Sequence, residues 1–254
     1  MEFSFPPHQI AVNMPNAASL LGEVKTRFRD GRGFALATIN LDHLVKLARD
    51  PAFRATYAAQ DLVCADGNPI VWLSKLARRP VSLVPGSDMV LPLASLAARE
   101  GISVALMGST DQALAEAAAA LQAQVPGLEI ACRIAPPMGF DATGLAAQEI
   151  LQQIEASGAR LCFIALGAPK QEQFAALGRQ VTPAVGFASI GAGLDFLAGR
   201  QQRAPEWVRK IAMEWLWRML SNPKRLAKRY LDCALILPGQ AVQAWRQRAV
   251  IGRD

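Results

Sequence analysis

Residues 160–177 read Arg-Leu-Cys-Phe-Ile-Ala-Leu-Gly-Ala-Pro-Lys-Gln-Glu-Gln-Phe-Ala-Ala-Leu. An apolar run, Arg160–Leu166, stops at a Gly-Ala-Pro turn, and a helix-like segment rich in Ala, Leu and Gln, Gln171–Leu177, follows at once. Five further runs have the same character: Gly33–Ile39, Asp61–Ala65, Ile102–Met107, Leu128–Ile134 and Ala184–Ile190. They are rich in Val, Ile, Leu and Phe and almost unbroken by charge, as strands covered on both faces are. Helix-like segments separate them, most clearly Leu41–Ala48, Gln112–Gln124 and Gly144–Ser157. Regular alternation of this kind predicts an α/β fold with a doubly wound, mostly parallel sheet and helices on both faces.

The chain has 254 residues, 52% of them apolar and 19% charged, which excludes a disordered protein. No apolar run approaches the roughly 20 residues that cross a bilayer. Met1-Glu2-Phe3-Ser4 lacks the basic and apolar regions of a secretory leader, so none is expected. Cys64, Cys132, Cys162 and Cys233 are too dispersed for a zinc site or a disulfide framework and suit a reducing cytosol.

Charge divides the chain near Gly199. Residues 1–199 carry 15 Lys and Arg against 17 Asp and Glu, net −2, and residues 200–254 carry 12 against 4, net +8. The second segment also holds Trp207, Trp215, Trp217 and Trp245, four of the five tryptophans. The expected organisation is therefore an α/β domain over 1–199 and a basic, helical appendage over 200–254. From Glu206 to Leu220, Trp207, Val208, Ile211, Ala212, Trp215, Leu216 and Met219 recur at helical spacing, with Arg209, Lys210 and Glu214 mainly on the other side. Pro223 interrupts, and Lys224, Arg225, Lys228, Arg229 and Tyr230 follow. Such a helix suits the headgroup layer of an anionic membrane, lying on it rather than spanning it. A solvated terminal helix with packed tryptophans is the plainer alternative.

In open α/β sheets, ligands bind beyond the carboxyl ends of the strands. Polar residues gather there: Thr38-Ile39-Asn40, Asp66-Gly67-Asn68-Pro69, Gly108-Ser109-Thr110-Asp111, Gly167-Ala168-Pro169-Lys170-Gln171-Glu172 and Gly191-Ala192-Gly193-Leu194-Asp195. Period-2 alternation puts Thr38 and Asn40 on one side of their strand. Amides, hydroxyls, a lysine and two isolated carboxylates on one rim describe a site for a polar, phosphate-bearing ligand. Duller roles are open to each: N-caps for Thr38 and Asn40, a plain turn at Asp66-Gly67, a helix start at Gly108, and surface or packing for His43. No Asp-x-Asp pair, Walker loop, Gly-x-Ser-x-Gly elbow or His/Cys metal cluster occurs. A bound diphosphate would have to be neutralised by Arg, Lys and backbone amides, with no metal site expected. Gly191-Ala192-Gly193 is only half a dinucleotide fingerprint and comes late in the chain.

Thr38-Ile39-Asn40, Ala65-Asp66-Gly67, Pro85-Gly86-Ser87-Asp88 and Gly167-Ala168-Pro169-Lys170-Gln171-Glu172 together resemble the WecG/TagA/CpsF glycosyltransferases. The resemblance continues through Gly191–Phe196, Gly199, Arg203-Ala204-Pro205, Trp207, Glu214-Trp215, Arg218, Pro223, Arg225 and Arg229-Tyr230. It covers residues 33–230. It implies a Rossmann-like sheet with a C-terminal appendage that closes over the active site. It also implies an inverting enzyme that transfers a sugar from UDP onto a polyprenyl-pyrophosphate-linked saccharide, without a cofactor or divalent metal. The implied location is the cytoplasmic face of the inner membrane, and the products are cell-surface polysaccharides.

Carried over by position, Asp66 matches the general base, and Thr38, Asn40 and Gln171 match residues lining the same pocket. Asp195 matches the carboxylate expected on the ribose of UDP, while Asn68, Gly108, Gly167 and Lys170 share the rim. Arg203, Arg209, Arg218 and Arg225 are candidates for the pyrophosphates or for lipid headgroups. The chain departs from the pattern at Leu83, where relatives often carry an arginine, and at Pro136-Pro137-Met138-Gly139-Phe140, where some have an aromatic segment. Two other classes stay open: an NAD(P)-dependent oxidoreductase, which predicts an early Gly-x-Gly-x-x-Gly turn, and a nucleic-acid-binding protein using the basic tail. Nucleic acid is not the expected partner, and a homo-oligomer is left open.

Overall fold

Six parallel strands form the centre of the computed structural model, which describes residues 1–201, 204–205, 207–208, 213–221 and 223–248, with side chains except at 218, 221 and 225. They are β3 (Phe34–Ile39), β4 (Leu62–Ala65), β5 (Val104–Gly108), β6 (Ile130–Ile134), β7 (Leu161–Ala165) and β8 (Gly186–Ser189), in the spatial order β4-β3-β8-β7-β5-β6. Each falls inside one of the six apolar runs, give or take a residue at its end. The four residues of β4 and β8, the five of β5 and β7 and all six of β3 are buried, which is why the runs show no polar alternation. Edge strand β6 is only partly covered, and it alone carries an exposed charged residue, Arg133.

Successive residues feed opposite faces. Leu36, Leu106, Leu161 and Phe163 point into one core with α1 (Ala17–Arg29), α5 (Gly86–Arg99) and α6 (Asp111–Gln124). Ala35, Ala105, Cys162 and Ile164 point into the other, against α7 (Leu145–Ala156) and α8 (Lys170–Val181). A third cluster joins Ala37, Ile39, Val63 and Ala65 to α2 (Leu41–Arg49), α3 (Pro51–Ala58) and α4 (Asn68–Leu76). A hairpin of β1 (Glu2–Phe5) and β2 (His8–Ala11) caps this cluster with Phe3, Phe5 and Ile10. The outer edge of β4 is closed by the following segment, where Asn13 Oδ1 accepts the Val63 N–H at 2.7 Å and Met14 N–H reaches the Val63 carbonyl at 3.1 Å.

The helices begin where side chains can cap them. Asp50 accepts the amides of Ala52 and Phe53 just ahead of Pro51, and Thr110 accepts that of Ala113. In the basic segment α9 (Gly193–Leu197) is followed by helical Trp207–Val208, α10 (Glu214–Ser221) and α11 (Pro223–Gln247). The single amphipathic helix expected over Glu206–Leu220 is broken, because Met213 is not helical. Pro223 does interrupt: with no N–H to donate, it opens α11 instead of continuing α10. Helix α11 lies along α2, with Arg49 bidentate on Asp232 at 2.8 and 3.0 Å and Arg229 Nε 3.1 Å from Asp42 Oδ1. Ala244 is buried in the third cluster, and the Gln247 side-chain amide pairs with the Glu2 backbone, its Oε1 accepting the Glu2 N–H and its Nε2 donating to the Glu2 carbonyl.

Candidate active site

The strands end level. Ile39 pairs with Ala65, Ile164 with Ser189 and Gly108 with Ala165, so the residues that follow them share one carboxyl edge. At one end of that edge the Asp66 N–H donates to the Ile39 carbonyl at 2.8 Å, and Gly67 turns with φ +107° directly into α4 at Asn68. A Cβ at Gly67 would lie 3.8 Å from that of Asn40, so Asp66, Asn68 and Asn40 are neighbours. Asn40 lies past the end of β3, where the period-2 argument stops. It caps α2 reciprocally: its Oδ1 accepts the His43 N–H and its own N–H donates to His43 Nδ1, both at 3.2 Å. The N-cap role is therefore real for Asn40. Beneath Asp66 the floor is buried: burial, then the Asp66 carboxylate, pushes the Cys64 thiol up to about 12, and burial, then the Glu172 and Asp66 carboxylates, raises the Tyr57 hydroxyl.

A second group forms at the ends of β3 and β8. Thr38 is buried, with its methyl beside Gly86 at the start of α5. A Cβ on Gly86 would stand 3.1 Å from the Ser189 carbonyl oxygen and 3.2 Å from the Cα of Ile190, so glycine lets the helix start press against the sheet edge. Gln171 reaches the same place from α8, its Oε1 accepting the Gly191 N–H at 3.1 Å. Ser189 Oγ, fully buried beside it, makes no hydrogen bond within the described residues. Gly193, half of the partial dinucleotide fingerprint, has a packing reason: a Cβ there would meet Val90 Cγ2 at 2.9 Å.

Asp195 occupies α9 and holds the end of β5. Its Oδ1 accepts from Ser109 Oγ at 2.6 Å and its Oδ2 from Gln201 Nε2 at 3.1 Å. Gly108 has φ +114°, and a Cβ would lie 2.3 Å from the Ala165 carbonyl oxygen, so its glycine is demanded by strand packing. Asp66 and Asp195 share the edge but do not touch. Strands β4 and β5 are four positions apart, about 19 Å at ordinary strand spacing.

Gly167 is exposed, with open space around it, and Lys170 is exposed at the start of α8, where its charge helps lower the carboxyl of Asp141 behind that residue's hydrogen bonds to Thr143. Arg203 and Arg209 lie outside the described residues, as do the side chains of Arg218 and Arg225, whose backbones belong to α10 and α11. Among the described residues no group of three or more His, Cys, Asp or Glu is placed to hold a metal, and no helix is long and apolar enough to cross a membrane.

The model of the glycosyl transferase WecG/TagA/CpsF family matches residues 7–250. The chain belongs to that family. The match extends the resemblance read from residues 33–230 nearly to both ends of the chain. As a WecG/TagA/CpsF glycosyltransferase, the protein needs a place for a sugar donor and a saccharide acceptor, and its sheet edge gathers the motif residues into the three groups above.

Sequence reasoning did not foresee the interior beneath them. Glu172 is fully buried, His43 and Gln171 nearly so, and Glu172 meets both, through a hydrogen bond from Gln171 and a close polar contact with His43. Glu172 was visible within the Lys-Gln-Glu motif, but helical period alone did not say which of its residues faced inward. Ser109 was visible as a turn residue, whereas its bond to Asp195 joins positions 86 residues apart.

Proposed function

We propose that the protein is an inverting glycosyltransferase that moves a hexose or N-acetylhexosamine-type sugar from a UDP-sugar to a polyprenyl-pyrophosphate-linked saccharide in cell-surface polysaccharide synthesis. The observation that carries this is the family match together with the single carboxyl edge on which Asp66, Thr38, Gln171 and Asp195 fall. Asp66 accepts the proton of the acceptor hydroxyl as that oxygen attacks the anomeric carbon from the face opposite UDP. The bond from that carbon to the phosphate oxygen breaks, and UDP departs with the electron pair. A positioned base contributes about 10²–10⁴-fold. Asn40 and Asn68 flank the base, Thr38 and Gln171 orient the sugar, and Asp195 takes the ribose hydroxyls. Gly108, Gly167 and Lys170 complete the rim. The departing diphosphate is stabilised by cations and amides, for which Lys170, Arg203, Arg209, Arg218 and Arg225 are the candidates, with no cofactor.

The protein works as a peripheral enzyme on the cytoplasmic face of the inner membrane. Support comes from the exposed apolar side chains of the basic segment: Leu231, Leu235, Val242 and Trp245 follow one another along one side of α11, with Trp207 and Trp215 also exposed. Lys224, Lys228 and Arg246 are exposed on the same helix. Apolar contact with nearby cations is the composition of an interfacial helix.

The test is a panel of radiolabelled UDP-sugars with a short prenyl-pyrophosphate saccharide and the full-length protein, the product anomer being read by NMR. Transfer from one UDP-sugar with inversion supports the reading. Retention of configuration, or tight NAD binding with none of UDP, overturns it.

A further inference from the structure

Glu172 has no exposed surface, and two arms meet at its carboxyl group, one through a hydrogen bond and the other through a close polar contact. Along one, Gln171 Nε2 donates to Glu172 Oε1 at 2.8 Å while Gln171 Oε1 accepts the Gly191 N–H at 3.1 Å. Both ends of the Gln171 amide are thereby fixed, the oxygen toward the loop after β8 and the nitrogen toward Glu172. Along the other, His43 Nε2 lies 3.4 Å from the same Oε1. His43 Nδ1 accepts the Asn40 N–H at 3.2 Å, which leaves the ring proton on Nε2, facing Glu172. Asn40 Oδ1 closes the arm by accepting the His43 N–H. The rings of Phe53 and Tyr57, centred 6.2 and 5.7 Å from that of His43, wall the imidazole in.

For folding alone this is a poor arrangement. Burying a carboxyl group is costly, and Glu172 Oε2 has no hydrogen-bond partner within the described residues, nor has the buried Tyr57 hydroxyl. What the arrangement accomplishes is register. One oxygen ties the loop after β3, which carries Asn40 beside Asp66, to the loop after β8, which Gln171 braces next to Thr38.

We propose that Glu172 is a positioning residue, acting through Gln171 and through His43 and Asn40 to hold the two walls of the donor pocket at a fixed separation. The proposal rests on the sugar-transfer reading of that pocket, and its test separates the two. In full-length Glu172→Met, a substitution that keeps side-chain volume and removes the oxygen, hydrogen exchange at the Asn40 and Gly191 amides should speed up together by about tenfold or more, without any substrate present, and Glu172→Gln, which keeps an oxygen in place, should restore most of the protection. The kcat/KM of Glu172→Met for the UDP-sugar should fall about 10–100-fold with a raised KM, while the folded fraction read by circular dichroism stays at the wild-type level. In a Gln171→Ala background Glu172→Met should cost several-fold less, because the two share one arm.

Unchanged exchange at both amides, kinetic losses that simply multiply, or a loss of rate matched by a loss of folded protein would overturn it. If Glu172→Met does not fold, His43→Gln isolates one arm: exchange should rise at Asn40 and stay fixed at Gly191, and equal effects at both would refute the two-arm geometry. If the wild-type protein uses no UDP-sugar, the donor reading fails, and the exchange data still decide whether Glu172 holds the two loops.

Discussion

Ser109 Oγ donates a 2.6 Å hydrogen bond to Asp195 Oδ1, locking the turn after β5 to α9. Ser109 sits at φ +51°, a left-handed conformation uncommon for a residue with a side chain, and the bond helps hold it there. With Gln201 on the other oxygen, the Asp195 carboxylate is already oriented before any ligand arrives. If it receives the ribose hydroxyls, Asp195→Ala should weaken UDP binding about 10–100-fold by calorimetry. Ser109→Ala, which loosens the carboxylate without removing it, should weaken binding only a few-fold. Equal affinity in all three proteins would take Asp195 out of the donor site.

Asp66→Asn preserves shape and removes the proton acceptor. The expected result is a kcat lowered about 10²–10⁴-fold, with UDP affinity within a factor of about two, since the nucleotide does not depend on that proton transfer. Retained turnover would assign the base elsewhere.

At Gly108 two demands coincide, the positive φ and the 2.3 Å approach of a hypothetical Cβ to the Ala165 oxygen. Gly108→Ala should therefore cost about 3 kcal/mol or more, lowering the thermal midpoint by on the order of 6–12 °C. Gly22, inside α1 with nothing within 4 Å of its virtual Cβ, supplies the contrast. Gly22→Ala should be neutral or stabilising by up to about 1 kcal/mol.

Acid should loosen the seat of α11. Burial pushes the Asp42 carboxyl up, but its 2.6 Å hydrogen bond from Lys46 and the Arg229 guanidinium outweigh this and hold it below its ordinary value. A carboxyl lowered on folding contributes stability that is complete above the unfolded value, about 3.9. That contribution is lost as pH falls through the lower folded value. Asp42→Asn should thus cost about 1 kcal/mol at pH 7 and less as pH falls below about 3.9, as read by denaturant unfolding across that range. The Asp232 carboxyl, lowered by its hydrogen bonds from Arg49, should respond in the same direction.

Membrane contact is testable without disturbing the core. Leu231, Leu235 and Trp245 are 61–70% exposed, so replacing all three with Gln should leave the thermal midpoint within a few degrees. Sedimentation with vesicles containing anionic lipid should fall at least tenfold, and wild-type protein should lose binding in high salt. Unchanged sedimentation of the triple variant would move the contact off this face of α11.

The six strands were legible because parallel strands covered on both faces must be apolar throughout, and Arg160–Leu166 or Gly33–Ile39 can hardly be anything else. The rim was legible for a related reason. In such a sheet polar residues appear where burial ends, so Asn40, Asp66, Gly167 and Asp195 announce themselves by following the runs. Only Arg133 hints locally that β6 is an edge; nothing local marks β4 as the other edge or puts β8 beside β3. That order follows from long-range pairing, and with it the separation of Asp66 from Asp195. The N-terminal hairpin was unread because its strands have only four residues each and gain their apolar cover from α3 and the end of α11. Nor does sequence spacing show that Glu172 is sealed beneath the pocket, or that Asn40 spends its side-chain oxygen on His43. Hydrogen-bond partners are chosen by distance in space, and only packing of the whole chain sets those distances.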